Sequence, residues 1–329
     1  MAVSFSGLTA WVDETKLDFY MDAIASNDVL PYLRKYGQVY TNVKADTLKL
    51  PKLTTSITIA DGDACFTDID GNNDTTISQT SISLKKGLVR DQICVHGFED
   101  YFTAQGLTTG QHYTGIGAFE AGILSDVAAR TAKAIGNEMW NGGSNWITSG
   151  LHDQLLAATM GSANVGTTTP TSGGSAGTDA AGVYNICQAL LNAGMADVDF
   201  ASAIMSGNCH IVMSPKEYAF LDQNYVKLRG QGLITPGLQT LQAGGFAEFM
   251  FPGFPVPIVI QNFLTGTGTI ILTRNQNIVA ALDLESDFTN IKLGMDQYEE
   301  FIWWKFRFKG GVGFRDLSGT SVKYWGAAS

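Results

Sequence analysis

Residues 61–74 read Asp61-Gly62-Asp63-Ala64-Cys65-Phe66-Thr67-Asp68-Ile69-Asp70-Gly71-Asn72-Asn73-Asp74. The stretch is dense in turn-forming residues, holds five aspartates and has no base. On either side the pattern changes to that of β-strands. Thr47–Ala60 carries Leu48, Leu50, Ile57 and Ile59, and Thr75–Val95 carries Ile77, Ile82, Leu84, Val89, Ile93 and Val95, with Thr, Ser and Gln between. Residues 46–95 therefore read as one long hairpin, about 15 residues and ~45 Å per arm. It has too few apolar residues to bury a face of its own, and an isolated ribbon is marginal in water. Such an arm makes sense when it lies on another molecule.

Outward from the hairpin the chain alternates helix and strand. Residues 10–26 carry Leu17, Tyr20, Met21 and Ile24 at helical spacing. Residues 114–140 form the longest helical pattern, with Ile116, Phe119, Ile123, Val127, Thr131, Ile135 and Met139 on one stripe and Gly142-Gly143 as its stop. Asp126 and Arg130 sit four apart on the other side. A Gly/Ser/Thr loop at 161–180 precedes a helix over roughly 179–195, with Val183, Ile186, Cys187, Leu190 and Leu191 on one face. Cys209–Met213 is a short buried strand. It runs into Ser214, an N-cap, and Pro215, suited to the first helical position. Residues 229–253 are glycine-rich and irregular. Pro255–Ile260 is a buried strand, and Ile270–Leu272 with Ile278–Leu282 read as a pair. The chain returns to strand over 298–325, with Gly310-Gly311 as a break. The class is α+β.

Composition narrows the function. Charged residues are 16% of 329, well below the roughly 25% of an ordinary soluble domain. Hydrophobic residues are 45%, glycines number 37, and the net charge is −10. Disordered chains and coiled-coil rods are excluded. The acidic balance argues against a nucleic-acid binder. Cys65, Cys94, Cys187 and Cys209 form no CxxC pair, so they read as unreactive thiols and not a zinc site. No run of 18 apolar residues marks a membrane helix, and the acidic first 25 residues do not resemble a secretory signal.

Catalytic motifs are nearly absent. Gly173–Gly177 matches GxSxG around Ser175, but Thr and Pro replace the buried strand that a nucleophile elbow needs. His96, His112, His152 and His210 form no metal motif, and His210 reads as a core histidine. Residues 68–74 only faintly resemble a calcium loop, with Asn73 and Gln79 at the places of its Gly and Glu. Phe301-Ile302-Trp303-Trp304-Lys305-Phe306-Arg307-Phe308-Lys309 alternates. Ile302, Trp304, Phe306 and Phe308 form a core face, while Phe301, Trp303, Lys305, Arg307 and Lys309 face outward. Nucleic-acid stacking is one reading of that outer face, and a protein partner is the favoured one. No catalytic residue, cofactor or metal is expected.

The order of these elements, with the texture of CHIVMSPKEYAFL (209–221), FPVPIVIQNFL (254–264), GTIILTRNQNIVAALDLESDF (268–288) and FIWWKFRFKGGVGFRD (301–316), resembles the HK97-fold major capsid proteins of tailed bacteriophages over about 46–325. The resemblance implies an N-terminal arm (1–45), an E-loop hairpin (46–95), a peripheral domain (96–149 and 283–329, with spine helix 114–140) and an axial domain (150–282), whose tip would be 229–253. It also implies assembly into hexamers and pentamers, then an icosahedral shell around double-stranded DNA bound without sequence specificity. The protein would reside in the virion after assembly in the host cytoplasm. With only about 45 residues before the hairpin, an uncleaved chain is expected, served by a separate scaffolding protein or none, with a portal and optional decoration proteins as partners. Lys85, Lys86 and Asn72 are not marked as a pair, so no covalent crosslink is expected. Members of this family lay the E-loop over a neighbour's peripheral domain. The acids Asp61, Asp63, Asp68, Asp70 and Asp74 are therefore expected to meet Lys305, Arg307 and Lys309 across that contact. An encapsulin-like nanocompartment is the nearest rival; a serine hydrolase using Ser175 and a secreted fibre or adhesin are remoter ones.

Overall fold

The computed structural model describes residues 29–55, 75–94, 117–143, 146–157, 163–171, 182–230, 240–242, 247–283, 292–296 and 301–326. The expected helix at 10–26, the aspartate-rich turn, Ser175 and its flanking glycines, Cys65, His96 and His112 lie outside the described residues, as does much of the glycine-rich stretch.

Three sheets organise the described residues. The strands of the first are β1 (Gln38–Tyr40), β4 (Lys85–Cys94), β11 (Ile278–Leu282), β12 (Lys292–Asp296) and β13 (Phe301–Phe314). β13 is its axis. β4 pairs along one edge of β13 from Phe301 to Gly310, while β12 and β11 share the other edge. The second sheet has the order β5-β14-β10-β6-β9-β8-β7. These strands are β5 (Asn164–Gly166), β6 (Cys209–Met213), β7 (Thr240–Gln242), β8 (Ala247–Met250), β9 (Pro257–Ile260), β10 (Ile270–Arg274) and β14 (Val322–Trp325). The third is a ribbon of β2 (Thr47–Thr55) and β3 (Thr75–Ser83).

Period-two alternation divides the core. On β6, Cys209, Ile211 and Met213 face the helices α4 (Val183–Met195), α5 (Val198–Met205) and α6 (Pro215–Gly230), and bury Leu190, Phe200 and Leu221 among others. Val212, with Val259 and Ile271, faces the opposite way. There it meets α1 (Val29–Lys35), the end of α2 (Gly117–Asn141), α3 (Leu151–Ala157) and the inner face of the first sheet. The expected apolar face of α4 is the buried one. Ser214 caps α6 as its spacing predicts: its hydroxyl accepts from the Lys216 N–H at 3.2 Å and its carbonyl from the Tyr218 N–H at 3.0 Å. α2 stops at Gly142, whose φ of +73° suits a residue without Cβ. The Asp126–Arg130 pair forms at 2.7 Å. No helix among the described residues is long and apolar enough to cross a membrane.

Three expectations are corrected. The second arm of the hairpin is two strands: β3 pairs with β2, but β4 leaves the ribbon and joins β13. The described ribbon pairs Thr47–Thr55 with Thr75–Ser83. β10 and β11 do not pair; each belongs to a different sheet. The turn between them is held from three directions. The Asn275 N–H reaches the Asn208 carbonyl, the Gln276 N–H the Tyr36 carbonyl, and the Asn277 carbonyl accepts from the Arg315 N–H. Gly310-Gly311 is not a break, because β13 runs through it. A Cβ on Gly311 would sit 2.3 Å from the Ser83 carbonyl oxygen, so close approach requires the glycine. Across residue 282 the sheets interleave: β11 lies in the sheet of β13, and β14 lies in the sheet of β6.

Candidate inter-subunit surface

The surface of interest is the outer face of β13 and what crosses it. Odd-numbered residues of β13 from Trp303 to Gly313 share that face, opposite to the buried Trp304 and Phe308. At one end the root of the hairpin lies over it. Leu50 and Ile82 bury against Val279, and a Cβ on Gly313 would meet Ile82 at 3.1 Å.

Ionic contacts pin the same root. Lys309, expected to be exposed, is only 7% exposed. Its ammonium donates to the Lys44 carbonyl at 2.8 Å and the Ala45 carbonyl at 3.1 Å, and pairs with the Asp46 carboxylate at 2.9 Å. The Lys309 hydrogen bond and charge hold the Asp46 carboxyl below its ordinary pKa. Lys309 is thus spent inside its own subunit because the chain at 44–46 crosses directly above it. Further out, Thr80 donates to the Arg315 carbonyl at 2.9 Å, and Lys52 pairs with Asp316 at 2.6 Å. Burial alone would raise the pKa of Asp316. The Lys52 ammonium, the Ser318 N–H and the Ser321 hydroxyl outweigh it and hold the carboxyl at about 2. Replacing Lys309 with Met removes the donor for both carbonyls and the Asp46 counter-ion. A loss of about 1–2 kcal/mol in denaturant unfolding is expected, against no change for Lys305→Met.

The order of these contacts gives the direction of the arm. Ser83 lies at Gly311, Ile82 at Gly313, Thr80 at Arg315, and Lys52, opposite Ser78, at Asp316. The ribbon therefore runs off the Phe314 end of the sheet, away from Phe301. On it Ile77 points outward, 74% exposed.

The other half of the outer face is covered by none of the described residues. Cross-strand register places Lys305 opposite Arg90, Arg307 opposite Leu88 and Lys309 opposite Lys86, and directly opposed residues share a face. Arg90, Arg307 and Lys86 are exposed, Lys305 is half-buried, and Leu88 is 47% exposed among them. This is a basic patch with an apolar centre in a chain of net charge −10. The sequence named Lys305 and Arg307 but missed Arg90 and Lys86. Their shared parity on 85–94 was a signal, but it carried meaning only once β4 was known to pair with β13. The five aspartates lie outside the described residues.

Nothing among the described residues forms a cluster of three metal-ligating side chains. His210 is buried and bonded, as a core histidine should be. Burial raises the thiol pKa of both Cys187 and Cys209, that of Cys209 to about 12, so neither is a nucleophile.

No protein-family model matches the sequence, and no curated protein matches it. Solved structures do. The capsid of the native GTA particle is 15% identical, with a TM-score of 0.53 over 91% of this chain and 90% of that one. The capsid of Myoviridae phage XM1 is 14% identical, with a TM-score of 0.52 over 91% and 92%. This is the HK97-type capsid fold. The SrpI encapsulin of Synechococcus elongatus shares it at 11% identity, with a TM-score of 0.51 over 90% of this chain and 86% of that one. The HK97-type fold thus spans this chain nearly end to end, as the element order implied. Among the described residues, the projecting ribbon and the half-bare sheet face leave Ile77 and Leu88 exposed.

Proposed function

We propose that this protein is the major capsid protein of a tailed double-stranded DNA bacteriophage. It forms hexamers and pentamers that close into an icosahedral shell. The observation that carries the reading is the direction of the ribbon, away from the basic half-face. That direction supports a second copy as the partner, and in this reading Asp61, Asp63, Asp68, Asp70 and Asp74 contact Lys305 and Arg307 of that copy. Arg90 extends the same face, and Leu88 and Ile77 add apolar area to the contact.

In this reading the ribbon is the E-loop, the sheet of β13 with α2 is the peripheral domain, and the sheet of β6 is the axial domain. Residues 229–253 form the axial tip. A separate scaffolding protein, a portal and decoration proteins are the expected partners. DNA is enclosed without sequence-specific contacts, and the virion is the site of residence after assembly in the host cytoplasm.

Negative-stain electron microscopy of the purified chain tests the proposal. Shells or capsomers are expected, and monodisperse small monomers would overturn it. The encapsulin neighbour supports a second reading, a nanocompartment shell. Nuclease-protected DNA inside particles from the natural source supports the phage reading, and enclosed protein cargo without DNA supports the other.

A further inference from the structure

Independently of the shell reading, we propose that His210 is an acid-sensitive latch that fastens helix α1 to the seven-stranded sheet. His210 lies in the middle of β6–β10 pairing, opposite Thr273, and is fully buried. Its Nδ1 donates to Asn275 Oδ1 at 2.8 Å, and its Nε2 accepts from the Tyr32 hydroxyl at 2.9 Å. The imidazole is neutral in that arrangement, because one nitrogen donates and the other accepts. The Tyr36 ring lies 4.5 Å from it and the Tyr32 ring 5.5 Å, edge-on. Tyr32 in turn packs on Trp140 at 5.9 Å. Tyr32 and Tyr36, with Val29 and Leu33, are the buried residues of this segment, and two of these four touch His210.

Among the described residues, the groups around the ring offer no negative charge. From α1 come Tyr32 and Tyr36, with the Lys35 ammonium over the Tyr36 ring; from α2 comes Trp140. From β10 come Thr273 and, one residue on, Arg274; the turn adds Asn275. Burial lowers the pKa of His210 to about 4, against which the Asn275 hydrogen bond acts, and no carboxylate contributes. A proton on Nε2 would point a second N–H at the Tyr32 hydroxyl and leave an imidazolium in an apolar core. β6 is held by strand ladders on both edges, whereas α1 is held by side-chain packing up to Tyr36, whose carbonyl accepts from the Gln276 N–H, so α1 is the element that yields.

The sign follows from the depressed pKa. The closed latch has its full stability above the ordinary histidine value and loses it as the pH falls toward the folded value. Opening exposes the ring, so from pH 7.5 to 4.5 the opening constant of α1 rises roughly 50–100-fold.

Hydrogen exchange of residues 29–36 in the full-length chain, corrected for the intrinsic pH dependence of exchange, reads this directly. The expected result is a loss of protection of that size at pH 4.5, reversed on return to pH 7.5 and absent in His210→Gln. Unchanged protection in the wild type, or the same loss in His210→Gln, would overturn the latch. If that variant does not fold, the exchange of the His210 ring C–H in the wild type decides. A midpoint near 4 supports the latch, and a midpoint near the ordinary histidine value sinks it.

Discussion

Reversing Arg90 and Arg307 to glutamate will raise the concentration needed for assembly by about 10–100-fold while leaving the subunit folded. Both side chains are exposed on the half-face that the hairpin root leaves bare. Neither packs in the core, so a surface change should cost within about 0.5 kcal/mol of stability. Each exposed ion pair contributes only ~0.2–1 kcal/mol. Reversal does more than delete it, because the aspartate-rich segment would then face like charge. A combined change of ~1.5–3 kcal/mol per contact corresponds to that shift in threshold. Light scattering against protein concentration, at low and high salt, measures it. The wild-type threshold should rise with salt, and that of the variant should fall, since salt screens attraction in one and repulsion in the other. Adding Asp68→Lys and Asp70→Lys to the double variant should restore assembly. An unchanged threshold and salt response would reject the charge contact while leaving the shell reading to electron microscopy.

Gly311→Ala will detach the root of the hairpin. The new Cβ falls 2.3 Å from the carbonyl oxygen of Ser83 and 3.1 Å from its carbon. Both are backbone atoms, so no side-chain rotation relieves the clash. Ser83 must lift off β13, and with it the burial of Leu50 and Ile82 against Val279 and the Lys309–Asp46 clasp beside them. Overpacking of this kind costs about 1–3 kcal/mol. Denaturant unfolding should show that loss, with Ser81→Ala, an exposed ribbon position, near zero as reference. The arm should also become far more susceptible to protease between residues 47 and 83, and assembly should fail if a fixed arm direction matters. Wild-type protection of the arm in Gly311→Ala would refute the account of why β13 carries glycine there.

Much of the fold was legible because local periodicity reports burial. The five apolar residues of α4 that share one face are all buried, together with Gly194, and Ser214-Pro215 begins α6 where capping chemistry requires. Within the strand 301–309, Trp304 and Phe308 are inward and Arg307 outward as read, while Lys309 is buried. The readings that failed all concern partners distant in sequence. Ile270–Leu272 and Ile278–Leu282 look like a hairpin around a polar turn. The pattern of a strand says which face is apolar, not which strand lies beside it. Gly310-Gly311 looks like a break, because glycine in a strand is locally unfavourable; only the approach of Ser83 makes it necessary.

The same division runs through the candidate surface. By itself the sequence determined the run of aspartates at 61–74, the bases Lys305 and Arg307 on one parity, and the α+β element order that resembles a capsid subunit. These are properties of composition and of short-range spacing. Only the tertiary structure decided that Lys309 is clasped by its own chain, that Arg90 and Lys86 join the basic face through β4, and that the ribbon points away from it. Each of those depends on which strands pair across more than two hundred residues. That choice is made by the whole core at once, since β11 and β14, in different sheets, each bury residues in two separate clusters.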